Sequence, residues 1–426
     1  MRKRELVAAL VAALVAAAAF SGVWAALHRG FYGRDTITDI PLYQRYGAAM
    51  ASGQLPYRDF RLEYPPGALP VFVLPALGNE GDDSGYADSF ELLMQIAGAL
   101  ALVGVATAAL ALRATRRRLA LALLAAAVLP LALGSVIVSR FDLWPAALTA
   151  AALAALLLGR WRIGGAVLGL AFITKVYPAV LLPVAVAAAW RARGRREGLA
   201  VAGAFLVAVL AVLVPFLVLS PAGVWAMVVR QTTRPLQIES LGAGILLAAH
   251  QAFDLGITFR SGYGSQNLAG ALPNALGALQ TVVQAAVLVA IWAGCARGPV
   301  DRERLVRCSA AAVVAFVALG KVLSPQYLVW LLPLVPLVGG RRGVRAVGLL
   351  VVACVLTQLW FPFRYWQLVA PLLLPGAEPG AFASWLVFAR DLVLLALLWT
   401  LAGPELRDTA ARAARWPSRA LSARSR

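Results

Sequence analysis

Apolar runs of about 20 residues, the length a helix needs to cross a bilayer, follow one another along this sequence with only short polar breaks. Such segments must satisfy their backbone groups internally, which in lipid means helices packed against helices. Charged residues make up 14% of the chain, against about 25% in a soluble domain. The expected fold is all-α: a polytopic transmembrane bundle of about 12 spans, forming one membrane domain over the whole chain.

A net charge of +19 would suit a nucleic-acid partner, but its distribution excludes one. Most of the 39 basic residues sit in short connectors: Arg2–Arg4, Arg113–Arg118, Arg160 with Arg162, Arg191–Arg196, Arg297–Arg307, Arg341–Arg345 and the tail 403–426. That is the positive-inside pattern, and it assigns both termini to the cytoplasm and the bilayer as the partner. The run Leu6–Leu27 behind the N-terminal MRKR is longer than a signal-peptide core, so an uncleaved first span is expected. Cys295, Cys308 and Cys354 lie in or beside spans, and no disulfide framework is expected. His28 and His250 have no cysteine nearby, so neither a zinc site nor another metal is expected.

With the arginine connectors inside, two long polar passages fall outside: a first loop over 28–88 and a second over 220–269. Tyr64–Gly78 carries four prolines and reads as a short interfacial or dipping element, because a clean span does not hold that many helix breakers. Asn79–Ser89 reads as polar loop, and Ser139–Asp142 as a plain outer connector between spans three and four. Ile163–Trp190 is too short for two full spans, which predicts two short helices broken at Lys175-Val176-Tyr177-Pro178. Its GGAVLGLA stretch supplies small residues for close helix packing. A second break falls at Lys321-Val322-Leu323-Ser324-Pro325.

Only three lysines occur, and two of them, Lys175 and Lys321, stand at these breaks. A lysine in hydrocarbon costs about 2.5–3.5 kcal/mol and requires a compensating partner. Their matching contexts predict a shared anionic ligand, with snorkelling as the alternative. The first loop holds Arg34, Asp35, Asp39, Arg58, Asp59 and Glu63 among Tyr43, Tyr57 and Tyr64, and the second holds Arg234, Gln237, Glu239 and His250. A carboxylate in a low-dielectric cleft can serve as general base toward a sugar hydroxyl. Asp59 and Glu63 are expected instead to pair with neighbouring arginines. Arg390-Asp391 reads as an internally neutralised pair.

Three passages then carry a family resemblance: D-x-x-x-Y-x-x-Y-G-x-x-x-x-x-G-x-x-P-Y-R-D-F-x-x-E-Y-P-P over Asp39–Pro66, G-L-A-F-x-x-K-x-Y-P over Gly169–Pro178, and S-P-Q-Y-L-x-W-L-L-P over Ser324–Pro333. R-P-L-Q-I-E-S from Arg234 looks like a fourth. Together they resemble the C-class membrane glycosyltransferases, most closely glycosyltransferase family 87. The resemblance implies a polyprenyl-phosphate sugar such as polyprenyl-phosphate mannose as donor, and a glycolipid or polysaccharide acceptor. It implies inversion at the anomeric carbon and no cofactor, on the extracytoplasmic face of a cell membrane. It makes Asp39 the catalytic base with Asp35 in reserve, and Lys175, Lys321 and Arg234 the phosphate clamp. Tyr177, Gln326 and Tyr327 are binding candidates within the matching motifs. Alanine-rich, arginine-over-lysine usage suggests a bacterial plasma membrane. The alternative reading is a transporter or flippase of a lipid-linked or phosphorylated sugar, since broken helices suit that class too.

Overall fold

The computed structural model describes residues 3–33, 37–299 and 301–422, with side chains from 11 to 407. It is a helical membrane protein. Among the described residues, six helices are long and apolar enough to cross a bilayer, and six further apolar helices are shorter. In order the chain forms α1 (Lys3–Leu27), α2 (Ile40–Ala51), α3 (Leu69–Val73), α4 (Asp83–Ala111), α5 (Arg116–Leu133), α6 (Leu143–Leu157) and α7 (Trp161–Thr174). It continues with α8 (Leu182–Arg193), α9 (Arg195–Leu219), α10 (Pro221–Thr232), α11 (Leu241–Phe253), α12 (Ala271–Arg297), α13 (Arg302–Ala318) and α14 (Gly340–Trp360). Two single turns, α15 (Tyr365–Leu368) and α16 (Ala370–Leu373), lead into α17 (Ala381–Ser422).

The 28–88 passage is ordered by its own chemistry. Pro41 near the start of α2 suits a helix entry, and Tyr43 and Gly47 form the buried face. Gly47 is required there, because a Cβ would lie 2.2 Å from the Phe72 carbonyl oxygen. The proline-rich element is helical over Pro66–Ala76 in three short pieces, as its breakers dictate. The supposed polar loop Asn79–Ser89 is largely helix instead. Asp82 caps α4, its carboxylate accepting from Ser84 and Gly85 backbone N–H groups at 3.0 Å, so the helix starts at Asp83.

The broken segment folds as the breakers predict. α7 ends at Lys175, a 3₁₀ stretch covers Tyr177–Leu181, and α8 returns. The small residues let α7 and α9 approach closely: a Cβ on Gly165 would sit 2.6 Å from the Val201 carbonyl oxygen, and one on Gly169 2.5 Å from that of Phe205. After Lys321 the chain runs through 3₁₀ turns at Pro325–Leu331 and Val335–Leu337 rather than a regular span.

One expectation is corrected. Cys295 and Cys308 form a disulfide, because α12 and α13 are packed neighbours and each cysteine lies a short way from their connector. The fold is all-α apart from one small antiparallel hairpin, β1 (Thr258–Gly262) with β2 (Ser265–Ala269), in the 220–269 passage. Backbone bonds from Ile238 to Gln266 and from Leu268 to Leu236 add the 236–238 segment to it.

Close packing of α7 on α9 makes a specific prediction. Gly169→Leu should lower the thermal midpoint in detergent, with an overpacking cost of about 1–3 kcal/mol, whereas Gly203→Leu on α9, where nothing lies within 4 Å, should leave it unchanged. Equal midpoints for the two variants would rule out this contact as a close one.

Candidate active site

α6 and α7 are antiparallel neighbours, so the residue before α6 and the residue after α7 meet at one end of the bundle. Those residues are Asp142 and Lys175, and their Oδ1 and Nζ lie 2.6 Å apart with the two side chains 1% and 13% exposed. The Trp330 indole N–H donates to the same Oδ1 at 2.6 Å. Lys175 is further capped by the Phe141 ring, 4.5 Å from Nζ, and by Trp330 at 5.4 Å. Trp330 stacks between Tyr177 and Tyr327, with both ring centroids 4.1 Å away.

The partner that a buried lysine demands is therefore an internal carboxylate. The Lys175 charge is thus paired within the chain. The Tyr177 hydroxyl meets Thr149 at 2.8 Å in a fully buried setting.

Two residues before Asp142, the same connector makes a second pair. Arg140 Nε lies 2.9 Å from Asp39 Oδ2, and its Nη1 donates to the Ile37 and Ser139 carbonyl oxygens at 3.1 and 3.0 Å. Asp39 stands at the head of α2, with its carboxylate 31% exposed and its arginine partner only 7%. The Tyr43 hydroxyl donates to Asp39 Oδ2 at 3.3 Å. Burial, reinforced by nearby Tyr64 and Asp39, pushes the Tyr43 phenol far up, so it stays protonated and remains a donor. Tyr43 packs on Phe72, Phe90 and Phe141, and Tyr64 on Phe72 and Phe141, which fixes the aromatic wall beside Asp39.

Other residues of the first loop serve its shape. Arg58 and Asp59 pair at 2.8 Å in solvent, and the Tyr57 hydroxyl donates to the Tyr64 carbonyl at 2.7 Å. Glu63 lies 3.4 Å from Arg230 of α10, and its carbonyl accepts from Gln231. Arg34 and Asp35 fall outside the described residues.

The 220–269 passage adds a polar arc. Arg234 donates to Ser265 at 3.1 Å and keeps a buried Nε without a hydrogen-bond partner among the described residues. Gln237 bonds Ser324 at 2.9 Å, and its backbone N–H reaches the Lys321 carbonyl at 3.0 Å. Lys321 Nζ donates to the Thr232 carbonyl at 3.3 Å and pairs with no carboxylate among the described residues. Tyr327 lies within electrostatic range of Arg234, Asp142, Glu239 and Glu63, which joins this arc to the Asp142 pair. Gln326, its neighbour, is half-buried.

Glu239 is buried, its Oε2 without a hydrogen-bond partner among the described residues, beside Arg390, whose guanidinium donates to the Glu239 backbone carbonyl at 2.6 Å and to Asp391 at 2.8 Å. Burial pushes the Glu239 carboxyl up to about 8, against the pull of Arg390 and Arg140. His250 stands apart, paired with Glu378 at 2.9 Å and bonded to the Leu255 carbonyl. Among the described residues no cluster suits a metal.

Sequence reasoning missed Arg140, Asp142 and Trp330. The signal available was an arginine and an aspartate inside a four-residue break between two strongly apolar spans, where an unpaired charge is costly.

Asp142→Ala should strand the Lys175 ammonium and cost about 3–5 kcal/mol, read as a large drop in thermal midpoint. The double variant Asp142→Leu with Lys175→Met should recover much of it, and no recovery would deny the coupling. Glu239 gives a pH signature. Its folded pKa lies above the unfolded value of 4.5, so its stabilising contribution is complete below 4.5 and is lost as pH rises through about 8. Glu239→Gln cannot ionise, so its midpoint relative to wild type should climb across that window. A gap independent of pH would remove the assignment.

No curated protein matches this chain in sequence. The family comparison matches glycosyltransferase family 87 over residues 62–325, more than half of the 426 residues. That span contains Arg140, Asp142, Lys175, Arg234, Glu239 and Lys321, and it begins beyond Asp39. The chain belongs to glycosyltransferase family 87.

Proposed function

We propose that this glycosyltransferase moves a sugar, mannose, from a polyprenyl-phosphate donor to a hydroxyl of a glycolipid or polysaccharide acceptor, inverting the anomeric carbon. The reaction takes place at the extracytoplasmic face of a bacterial plasma membrane, with both termini in the cytoplasm. The observation that carries the reading is the asymmetric state of Asp39. Its Oδ2 is held by Arg140 and Tyr43, while Oδ1 meets no donor among the described residues and the carboxylate is partly open to solvent. A carboxylate oriented through one oxygen and open at the other is suited to general-base work.

In the proposed step the acceptor hydroxyl gives its proton to Asp39 Oδ1 as its oxygen bonds the anomeric carbon. The carbon–oxygen bond to phosphate breaks, and polyprenyl phosphate leaves with the electron pair. Lys321 and Arg234, neither matched by a carboxylate in a direct pair among the described residues, supply positive charge for the leaving phosphate. Lys175 acts indirectly, by holding the connector that presents Arg140. No cofactor enters this scheme.

The test is sugar transfer from radiolabelled polyprenyl-phosphate mannose in membranes carrying matched amounts of enzyme. Asp39→Asn should lose on the order of 10²–10⁴ in rate, the usual contribution of a general base, with folding verified by an unchanged thermal midpoint. Full activity in Asp39→Asn with loss in Asp35→Asn would move the base to Asp35. Sugar that changes leaflet without being consumed would replace the enzyme reading with transport.

A further inference from the structure

The end of the bundle opposite the Asp142–Lys175 pair holds a cavity of about 240 Å³, at the turn from α6 to α7 and against the connector from α12 to α13. Nothing in the proposed transfer uses it. Its walls are apolar, formed by Leu157, Trp161, Val184 and Leu305. Its polar lining is mostly cationic: Arg191, Arg302 and Arg304, with Asp301 as the one lining acid.

These arginines are positioned rather than loose. Arg191 donates to the Ala296 carbonyl at 2.9 Å, Arg302 to that of Ala111 at 2.6 Å, and Arg304 to that of Gly294 at 2.8 Å. Each such bond uses one or two of five guanidinium N–H groups and leaves the others available. Arg304 also lies 3.2 Å from Glu405, yet its Nε is buried without a hydrogen-bond partner among the described residues. Gly298 makes room for it, since a Cβ there would fall 2.0 Å from Arg304 Cζ. For Arg191 and Arg302 the partners observed among the described residues are backbone carbonyls, and no carboxylate among those residues pairs with either directly. Leu158, Ile163 and Trp190, each within two residues of a lining residue in sequence, are exposed apolar side chains.

We propose that this cavity binds an anionic phospholipid. The headgroup phosphate is held by Arg191, Arg302 and Arg304, and the proximal acyl chain lies on the apolar walls. Guanidinium groups match phosphate oxygens in geometry as well as charge, and a free phosphate would leave the apolar walls unfilled. Basic pockets between membrane helices are suited to lipid headgroups. The proposal is independent of the transfer chemistry and of Asp39.

The experiment is thermal unfolding of the full chain in detergent, titrated with phosphatidylglycerol, phosphatidylcholine or inorganic phosphate. Two variants accompany wild type: Arg191→Gln with Arg302→Gln, which removes the cations, and Ala188→Phe, which fills the cavity and keeps them. Phosphatidylglycerol should raise the wild-type midpoint saturably, with half-saturation at least tenfold higher in both variants and little effect of phosphatidylcholine. Equal stabilisation by phosphatidylcholine, or an unchanged titration in either folded variant, would overturn the proposal. The same shift from inorganic phosphate alone would overturn the lipid assignment in favour of a simple anion site. Should the arginine variant fail to fold, the Ala188→Phe titration decides.

Discussion

The buried ion pair of Lys175 with Asp142 is the constraint on which this end of the helical bundle depends. Neither charge has a tolerable alternative: the lysine ends a helix inside apolar packing, and the aspartate is fully enclosed. Meeting at 2.6 Å, they lock the start of α6 to the end of α7 and draw Trp330 from a distant segment into the same contact. The 3₁₀ turn Pro325–Leu331 and the break after α7 then pack as one unit through the Tyr177–Trp330–Tyr327 stack. Breaking such a pair costs more than never having it, so the irregular backbone at both breaks is held by electrostatics that apolar packing alone would not supply.

One connector, Ser139–Asp142, presents two charges to two surroundings. Asp142 meets Lys175 in a dry setting, whereas Arg140 meets Asp39 at the edge of solvent. Exposure divides the labour. A proton acceptor must be reached by a substrate hydroxyl, which excludes Asp142 and suits Asp39, while a positioning group works best where its own motion is limited. Arg140, bound to two backbone carbonyls and nearly buried, is limited in that way.

Local chemistry made much of the fold legible in the sequence. Proline and lysine at Lys175–Pro178 announced a helix break, and the glycines of α7 announced a close approach, because both effects act within a few residues. Pairs between chain neighbours, Arg58 with Asp59 and Arg390 with Asp391, were legible for the same reason, but the long-range pairings were not. Trp330 reaches Asp142 across 188 residues, and nothing in either flank records the other. The two lysines looked alike in sequence, yet Lys175 pairs with a carboxylate, whereas the Lys321 ammonium donates to a backbone carbonyl and meets no carboxylate among the described residues. His250 sat in a promising polar passage and is spent on Glu378. The hairpin at 258–269 and the Cys295–Cys308 bridge were missed because each depends on which neighbour the chain meets.

The extent of the family match gives the two pairs different meanings. Residues 62–325 carry Asp142, Lys175 and Arg140, together with the cations of the second external passage, so the frame of the site lies within the matched region. Asp39 comes from the segment before it and is joined to that frame through Arg140, Tyr43 and the packing of α2 on the Pro66–Ala76 element. The acidic side chain is thus delivered by one part of the chain to a cationic frame built by another. Arg140 is itself fixed on two backbone carbonyls, that of Ser139 in the connector whose Asp142 meets Lys175 and that of Ile37 just before Asp39, so its guanidinium ties the two parts of the chain together.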